Sequence, residues 1–387
     1  MVQLQYSGML ERFKDVPDPR TRPNRLYPWQ LLWVLISAAM ASACHNPTAI
    51  ARFLKEHRDE LFAVLPPTLN RLPSESTIRR TLSCVDAKLL DTALTTPPTP
   101  VPAPPLPPLA AEVPTPLVGQ AIDGKAVRGV GRDGHPCLLV GLVAHGSGTV
   151  LAQAEVARKR DERSAVPCLL SGRDLHGMVI TLDALHTLKT TARLILAQRG
   201  DYLMVVKKNQ RTLYEFLNML FSLPPHPADH EEWDQIGPRS EKGHGRLETR
   251  SLICGAAHIE DVDWPGVAQV MRRECERIEL KTGKLTHEVS YGLTSLAPAR
   301  ADAAVLEALW RGHWTIENRV HYVRDVSFGE DAGHAAAGNT ARVLASVRNA
   351  LLYLFRRAGW HLVPSALAHY GASVRRALSL IGLKVNT

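Results

Sequence analysis

Val-Gly-Gln-Ala-Ile-Asp-Gly-Lys, residues 118–125, and Met-Val-Ile-Thr-Leu-Asp-Ala-Leu-His, residues 178–186, are two short apolar runs that each reach an aspartate. Runs of this length and composition predict short strands. Strand ends in an α/β sheet are where reactive side chains are commonly displayed. We therefore interpret Asp123 and Asp183 as candidate catalytic carboxylates.

A third acid comes from Trp-Arg-Gly-His-Trp-Thr-Ile-Glu-Asn-Arg-Val-His-Tyr-Val-Arg-Asp, residues 310–325. At 100° per residue, a helix would place five side chains on one narrow stripe. They are Trp310, His313, Glu317, His321 and Arg324. A buried carboxylate among cations suits metal and phosphate chemistry, so Glu317 completes a candidate Asp/Asp/Glu triad.

These three motifs, with Asp-Tyr-Leu-Met-Val-Val-Lys-Lys-Asn-Gln at 201–210 between the second and third, resemble the DDE-superfamily insertion-sequence transposases. Within them the chain is most similar to the group that includes the H-repeat-associated proteins. The resemblance covers roughly residues 10–358. It implies a transposase that cleaves and joins the DNA ends of an insertion sequence by two-metal-ion phosphoryl transfer. Two alternatives stay open: a DNA-binding protein of the same fold that no longer transposes, and a DNA nuclease without strand transfer.

The candidate triad predicts its own cofactor. Three carboxylates without a dedicated His or Cys cage suit two hard divalent cations, so we expect Mg²⁺, with Mn²⁺ as a substitute. The resemblance implies that Asp123 bridges both ions, Asp183 shares one and Glu317 holds the other. An alternative is a zinc site on His313, Glu317 and His321, although positions i and i+8 of a straight helix lie about 12 Å apart.

The motif around Glu317 departs from the family's Tyr, Arg, Glu and Lys signature. Trp310 and His313 stand at the Tyr and Arg positions, and Arg324 stands for the Lys. Arg324 can clamp a phosphate with bidentate geometry. His313 is a weaker cation near neutral pH.

Composition limits the class of protein. The chain has 387 residues, 45% of them hydrophobic, which allows two or three domains, and its net charge of +8 favours polyanion partners. Six scattered cysteines without a Cys-x-x-Cys pair argue against a zinc ribbon or a disulfide framework. The apolar stretch 31–44 is too short to cross a membrane. We expect a protein of the bacterial cytoplasm that is nucleoid-associated when bound to DNA and has no membrane partner.

The predicted fold class is α/β: an RNase H-like mixed sheet flanked by helices, with a β-rich insertion and an all-α N-terminal domain. Ten prolines between positions 96 and 116 indicate a stiff spacer. The predicted units are a helical DNA-binding domain at 1–95, a Pro-rich linker at 96–116, the first part of the catalytic core at 117–222, the insertion at 223–296 and the C-terminal helical part of the core at 297–387.

Secondary structure of the core follows from apolar periodicity. Strands are predicted at 118–122, 136–144, 149–156, 178–183 and 201–207, and helices at 164–172, 187–199 and 209–221. A last helix at 339–357 should bury one apolar face and leave its arginines toward the edge. Those arginines are Arg342, Arg348, Arg356 and Arg357.

The N-terminal helices contain a candidate DNA reader. A Pro-rich turn at 66–73 precedes a helix that Ser74 or Ser76 could cap and that carries Arg79 and Arg80. A helical bundle with a solvated basic face is the alternative. The family resemblance implies that this region binds the ends of the element, with the protein acting as a homodimer on DNA.

Further phosphate contacts are predicted beside the core. Lys207, Lys208, Asn209 and Gln210 follow a strand and open a helix, where backbone N–H groups and cations favour phosphate, unless they form only a solvated helix start. Lys125, His186 and Arg246 are weaker candidates. The DNA-binding set is Arg79, Arg80, Lys125, Lys207, Lys208, Asn209, His313, His321 and Arg324.

Overall fold

The computed structural model describes residues 5–6, 8–21, 25–65, 70–95, 116–130, 136–158, 161–222, 233–243, 245–256, 259–332 and 338–384. Across these ranges the chain is a mixed α/β protein with a nine-stranded mixed sheet, a two-stranded sheet and thirteen α-helices. The mixed α/β class expected from the sequence is thereby confirmed. All but the last residue of the predicted linker, 96–115, lie outside the described residues.

The first 95 residues fold into six helices after a two-residue strand, β1 (Gln5–Tyr6). Local sequence fixes their starts. Pro28 precedes α2, and the Asn46 side chain accepts a hydrogen bond from Ala49 N at 2.8 Å to cap α3. The helices are α1 (Met9–Arg12), α2 (Trp29–Ala41), α3 (Pro47–Glu56), α4 (Arg58–Val64), α5 (Glu75–Cys84) and α6 (Ala87–Thr95).

These helices share one hydrophobic core with the C-terminal helices α11 (Thr340–Arg357), α12 (Val363–Gly371) and α13 (Val374–Ile381). α2 is buried along nearly its whole length, which its uniformly apolar sequence requires. The strand β11 (Leu383–Lys384) pairs with β1 and joins the two ends of the described chain. The N-terminal helices are therefore completed by residues from beyond position 328.

The large sheet has the strand order β4-β3-β2-β5-β6-β10-β9-β8-β7. β2 pairs antiparallel with β3 and parallel with β5, which in turn is parallel to β6. The first five strands are β2 (Val118–Val130), β3 (Pro136–Ala144), β4 (Val150–Val156), β5 (Met178–Leu182) and β6 (Asp201–Val206). The five predicted strands are thus present, with β2 longer than expected.

The last four strands extend the same sheet. β10 pairs antiparallel with β6, and β9, β8 and β7 follow outward. They are β7 (Trp233–Gly243), β8 (Arg246–Gly255), β9 (Gln269–Glu279) and β10 (Leu285–Thr294). The stretch predicted to be β-rich is β-rich where it is described, and it continues the core sheet.

Helices cover both faces of the sheet. One face packs on α7 (Glu162–Leu170), α8 (Lys189–Ala197) and α9 (Arg211–Leu220). The other packs on α10 (Ala303–His313), on the residues that follow α10 and on α11. α10 begins at Asp302, whose side chain accepts from Val305 N at 2.8 Å. No helix among the described residues is long and apolar enough to span a bilayer.

Candidate active site

Two carboxylates lie side by side on neighbouring parallel strands. Ile122 of β2 is paired with Leu182, the last residue of β5, so the residues that follow them, Asp123 in β2 and Asp183 just after β5, are adjacent at a strand separation of about 4.8 Å. Side chains alternate along a strand, and Asp123 points to the same face as Ala121, which packs under the segment after α10. The two predicted acids therefore meet on one face of the sheet.

The loop after β5 holds Asp183 in place. Its Oδ1 accepts backbone hydrogen bonds from Leu185 at 3.0 Å and His186 at 3.2 Å. Asn209 adds a bond to this loop, because its side-chain nitrogen donates to Ala184 O at 2.6 Å. Asp183 is thus oriented by its own turn, and Asn209 supports that turn.

Glu317 reaches the same place from above the sheet. Ile316 and Val320 pack on Ala121 and Val143, which fixes the Glu317 backbone over β2. One ligand atom each from Asp123, Glu317 and His321 lie within 4.8 Å of one another. His321 Nδ1 is 3.7 Å from an oxygen of each carboxylate. The structure therefore gathers Asp123 and Glu317, and it adds His321 to them.

Helix geometry after α10 differs from the predicted straight α-helix. Glu317–His321 and Val323–Ser327 are π-helical, with Tyr322 N bonded to Glu317 O. Seven residues separate Glu317 from Arg324, which is about two turns of an α-helix but less than two turns of the wider π-helix, so these two side chains do not return to one face. The Glu317 side chain keeps 49% of its surface exposed, contrary to the buried carboxylate expected from the sequence.

The protonation behaviour of the site reflects crowded acids. Burial and the charges of Asp183, Glu317 and Glu162 raise the pKa of Asp123 to about 7. A hydrogen bond from Gly124 N to the Asp123 carboxylate acts in the opposite direction but is outweighed. The His321 ring lies 3.7 Å from the Glu317 carboxylate and holds the pKa of Glu317 below its ordinary value. This effect of His321 is larger than the rise in pKa that partial burial of Glu317 would cause. Burial lowers the pKa of His321 itself. Such a site gains from an added positive charge.

Lys125 and Arg324 serve ion pairs inside the protein. Lys125 is buried and its Nζ lies 2.6 Å from Asp325, which links β2 to the π-helical segment. Arg324 is also buried and pairs with Glu330, which Arg348 approaches from α11 at 2.8 Å. The role of Arg324 as a phosphate clamp stays a prediction, and in the structure its guanidinium is enclosed against Glu330.

His313 contacts the sheet. Its Nδ1 is 3.1 Å from Thr181 Oγ1, which His145 Nε2 approaches from the other side at 2.9 Å. Burial lowers the pKa of His313 to about 4, so the ring is neutral at physiological pH. His313 is absent from the group formed by Asp123, Glu317 and His321, and the three-residue zinc site predicted as an alternative is not assembled.

The remaining predicted DNA-binding residues lie elsewhere on the surface. Lys207 and Lys208 are exposed between β6 and α9. Arg79 and Arg80 are exposed on α5, where Arg79 is also bonded to Glu75 at 2.8 Å. These positions leave their predicted phosphate contacts open to experiment.

Four arginines predicted along the edge of the last helix divide into two kinds. Arg348 is buried against Glu330, and Arg342 is bonded to Asp91 of α6 at 2.7 Å. The prediction of an edge position is wrong for Arg348, because Arg348 is buried in an ion pair with Glu330. Helix periodicity could not reveal this pair, since Glu330 lies outside the helix. Arg356 is half-buried, and Arg357 is exposed.

Comparison with known proteins agrees with this geometry. The family model described as Transposase DDE domain matches residues 81–355. The chain belongs to the DDE transposase family. A model described as DDE_Tnp_1-associated matches residues 10–96. The family predicted from the sequence motifs is confirmed.

Individual relatives of this family match parts of the chain. YncI of Escherichia coli O157:H7, whose name classes it as a transposase, is 31% identical over 61% of this chain and 61% of its own length. YhhI of E. coli K12, named as an H repeat-associated transposase, is 29% identical over 52% of this chain and 53% of its own length. An uncharacterized Xanthobacter autotrophicus protein encoded in the dhlA 3′ region is 28% identical over 68% of this chain and 87% of its own length. The chain thus spans between half and two thirds of the length of YncI and YhhI.

Among solved structures, the piggyBac transposase synaptic complex with hairpin DNA matches with a TM-score of 0.45 and 10% identity. The match covers 95% of this chain and 75% of the piggyBac chain.

Proposed function

We propose that this DDE transposase cleaves and joins the DNA ends of an insertion sequence, using Asp123, Asp183 and Glu317. The observation that carries the proposal is the pairing of Ile122 with Leu182, which sets two carboxylates side by side under the segment that bears Glu317. The strand order β4-β3-β2-β5-β6, with only β2, β5 and β6 parallel, supports an RNase H-like core.

The acids fit divalent cations. Asp123 and Glu317 meet here with His321 and without a cysteine, and Asp183 follows the strand beside Asp123. Burial and the charges of Asp183, Glu317 and Glu162 raise the pKa of Asp123, so a bound cation would stabilise its charged form. Oxygen-rich sites of this kind suit Mg²⁺ or Mn²⁺, and His321 offers a nitrogen that Mn²⁺ accepts more readily than Mg²⁺ does. We propose Asp123, Asp183 and Glu317 as the residues that hold them. Bound cations would polarise the scissile phosphate and promote attack by water or a 3′-hydroxyl.

The protein's own residues position this chemistry. Lys125 lies two residues after Asp123 on the same face of β2, and its ion pair with Asp325 ties that strand to the segment of Glu317. His321 lies between Asp123 and Glu317, with its Nδ1 3.7 Å from an oxygen of each carboxylate. Because Glu317 is half exposed, a DNA strand can reach the site from solvent.

DNA binding is proposed on several surfaces at once. Lys207 and Lys208 are exposed next to the loop of Asp183, and Arg79 and Arg80 are exposed on α5. We propose that the N-terminal helices bind the element's ends, that the protein acts as a homodimer on DNA, and that it works in the cytoplasm. The domain boundaries, with a linker at 96–116, remain part of this proposal.

The test is Glu317→Gln in the full chain, because residues 9–94 share their core with residues 328–383. Gln keeps the shape of the side chain but removes the charge that holds a cation, so cleavage of end DNA should fall by at least about 10²-fold while end binding stays near the parent value. Glu215→Gln, an exposed glutamate on α9, is the matched control. Cleavage by Glu317→Gln at the parental rate would remove Glu317 from the triad.

The same assay separates the possible functions. Parent protein with Mg²⁺ or Mn²⁺ should both nick end DNA and join it to a target duplex. Nicking without joining would indicate a nuclease, and specific binding without nicking would indicate a protein that no longer transposes.

A further inference from the structure

Two arginines lie against each other at the turn between β3 and β4. Arg356 Nη2 donates to the backbone oxygen of Arg319, and Arg356 Nη1 donates to Gly148 O at 2.8 Å. Arg319 Nη1 donates to Gly146 O of the same turn. Both side chains therefore converge on one turn, from the π-helical segment and from the end of α11.

The glycines of this turn allow the close approach. Gly148 has a φ of +66°, and a Cβ there would lie 2.8 Å from Arg319 Cβ and 3.0 Å from Arg356 Nη1. The turn is also held by Thr315, which accepts from Gly146 N at 3.4 Å. Residues 146–148 thus form a fixed floor under the two guanidinium groups.

The charge of this pair is not neutralised by the protein. Among the residues that the structure describes, neither Arg319 nor Arg356 forms an ion pair with a carboxylate, and their protein acceptors are backbone oxygens. Each guanidinium carries five N–H donors, and the three bonds above occupy only a minority of them. Burial and then the charge of Arg319 lower the pKa of Arg356 to about 10, which agrees with two unbalanced cations in proximity.

The pair is attached to the segment that carries Glu317. Arg319 is two residues after Glu317 on the same segment, and its side chain is exposed. Planar guanidinium forks match phosphate oxygens bidentately, and a phosphate would restore the missing negative charge. A carboxylate ligand would also supply negative charge. We favour phosphate because the candidate active site on the same segment is proposed to act on DNA, whose backbone is a series of phosphates.

We propose that Arg319 and Arg356 form a phosphodiester-binding site that holds the DNA backbone at a phosphate other than the reacting one. This inference rests on the proposed function, because the DNA that it binds is the strand proposed to react at Asp123, Asp183 and Glu317. The site would fix the strand relative to Glu317 and would recognise backbone without regard to sequence.

The experiment measures binding of the full chain to a short DNA duplex over a range of salt concentrations. Each phosphate contact on duplex DNA contributes about 0.9 to the slope of log K against log salt. Arg319→Gln, which keeps an amide donor for Gly146 O, should therefore reduce the slope by about 0.9. Arg357→Gln, which removes the neighbouring exposed arginine of α11, is the charge-matched control.

An equal slope change in Arg319→Gln and Arg357→Gln would overturn the inference, because it would report net charge alone. An unchanged slope in Arg319→Gln, with tight binding by the parent, would overturn the inference and leave the proposed function standing. A parent that binds no duplex at low salt would remove both.

Inorganic phosphate gives a second measurement that does not require DNA. At equal ionic strength, phosphate should raise the melting temperature of the parent above its value in chloride, and Arg319→Gln should lose most of that increase. Arg356→Lys, which keeps the charge without the fork, should lose part of it. No difference between phosphate and chloride for the parent would overturn the site.

Discussion

Glu330→Gln should be among the most destabilising single substitutions in the molecule. Glu330 accepts a hydrogen bond from Arg324 Nε at 2.9 Å and another from Arg348 Nη1 at 2.8 Å, and Arg324 Nη2 lies 2.8 Å from it in the same ion pair. Burial raises the pKa of Glu330, but the charges of the two arginines outweigh it and hold that pKa below its ordinary value. The side chains are only 1–3% exposed, so solvent does not screen these charges.

The magnitude follows from what the substitution leaves behind. Gln fits the same space but carries no charge, and its amide group cannot accept from both arginines. Two guanidinium groups then remain buried without a counter-ion. Breaking a buried ion pair by removing one partner costs about 3–5 kcal/mol, and we expect the free energy of unfolding to fall by that amount.

Urea unfolding followed by circular dichroism is the measurement, with Glu215→Gln as the control. Glu215 also pairs with an arginine at 2.8 Å, but both side chains are more than half exposed, so no measurable loss is expected. A triple variant with Met, Leu and Met at positions 324, 330 and 348 should recover much of the loss, because it removes all the charges together. A loss below about 1 kcal/mol in Glu330→Gln would refute the reasoning, as would a triple variant less stable than the single one.

Two further predictions concern the sheet beneath the site. A Cβ on Gly312 would lie 2.2 Å from His145 Nδ1, so Gly312→Ala should cost about 1–3 kcal/mol in thermal unfolding, and a second change, His145→Ala, should return part of that loss. Gly312→Ala with the parental melting temperature would contradict the packing described here. The folded-state pKa of Asp123, about 7, lies above its unfolded value, so metal-free protein should lose stability as pH rises from about 4 to 7, and Asp123→Asn should be more stable than the parent at pH 8 by on the order of a few kcal/mol. If the stability of the metal-free protein rises over that pH range, the raised pKa of Asp123 is contradicted.

Local sequence was sufficient to predict much of the sheet and two members of the site. β3 was predicted at 136–144 and is observed there, and β5 and β6 each end one residue earlier than predicted, because buried strands are apolar runs bounded by polar residues. Asp123 and Asp183 followed from the same pattern. Their adjacency follows from the strand register, which a periodicity argument does not contain.

Other features depend on distant contacts. The π-helical turns after α10 change which side chains share a face, so His321 lies beside Glu317 whereas Arg324 is enclosed against Glu330. The buried position of Arg324 requires Glu330 and Arg348, and that of Arg348 requires Glu330 from a separate segment. For Lys125, the sequence offered one indication of a position near the candidate site. It lies two residues after Asp123, which places both side chains on one face of β2.

The core shared by α2 and the C-terminal helices affects how the protein is made. A ribosome exposes α2 roughly 300 residues before α11, which at 5–20 residues per second leaves this apolar helix without its C-terminal partners for about 15–60 seconds. Chaperones would have to shield it during that interval. A prematurely terminated chain would keep the helix uncovered and become a substrate for proteases. Truncated copies of the gene would then yield no stable fragment of the N-terminal helices.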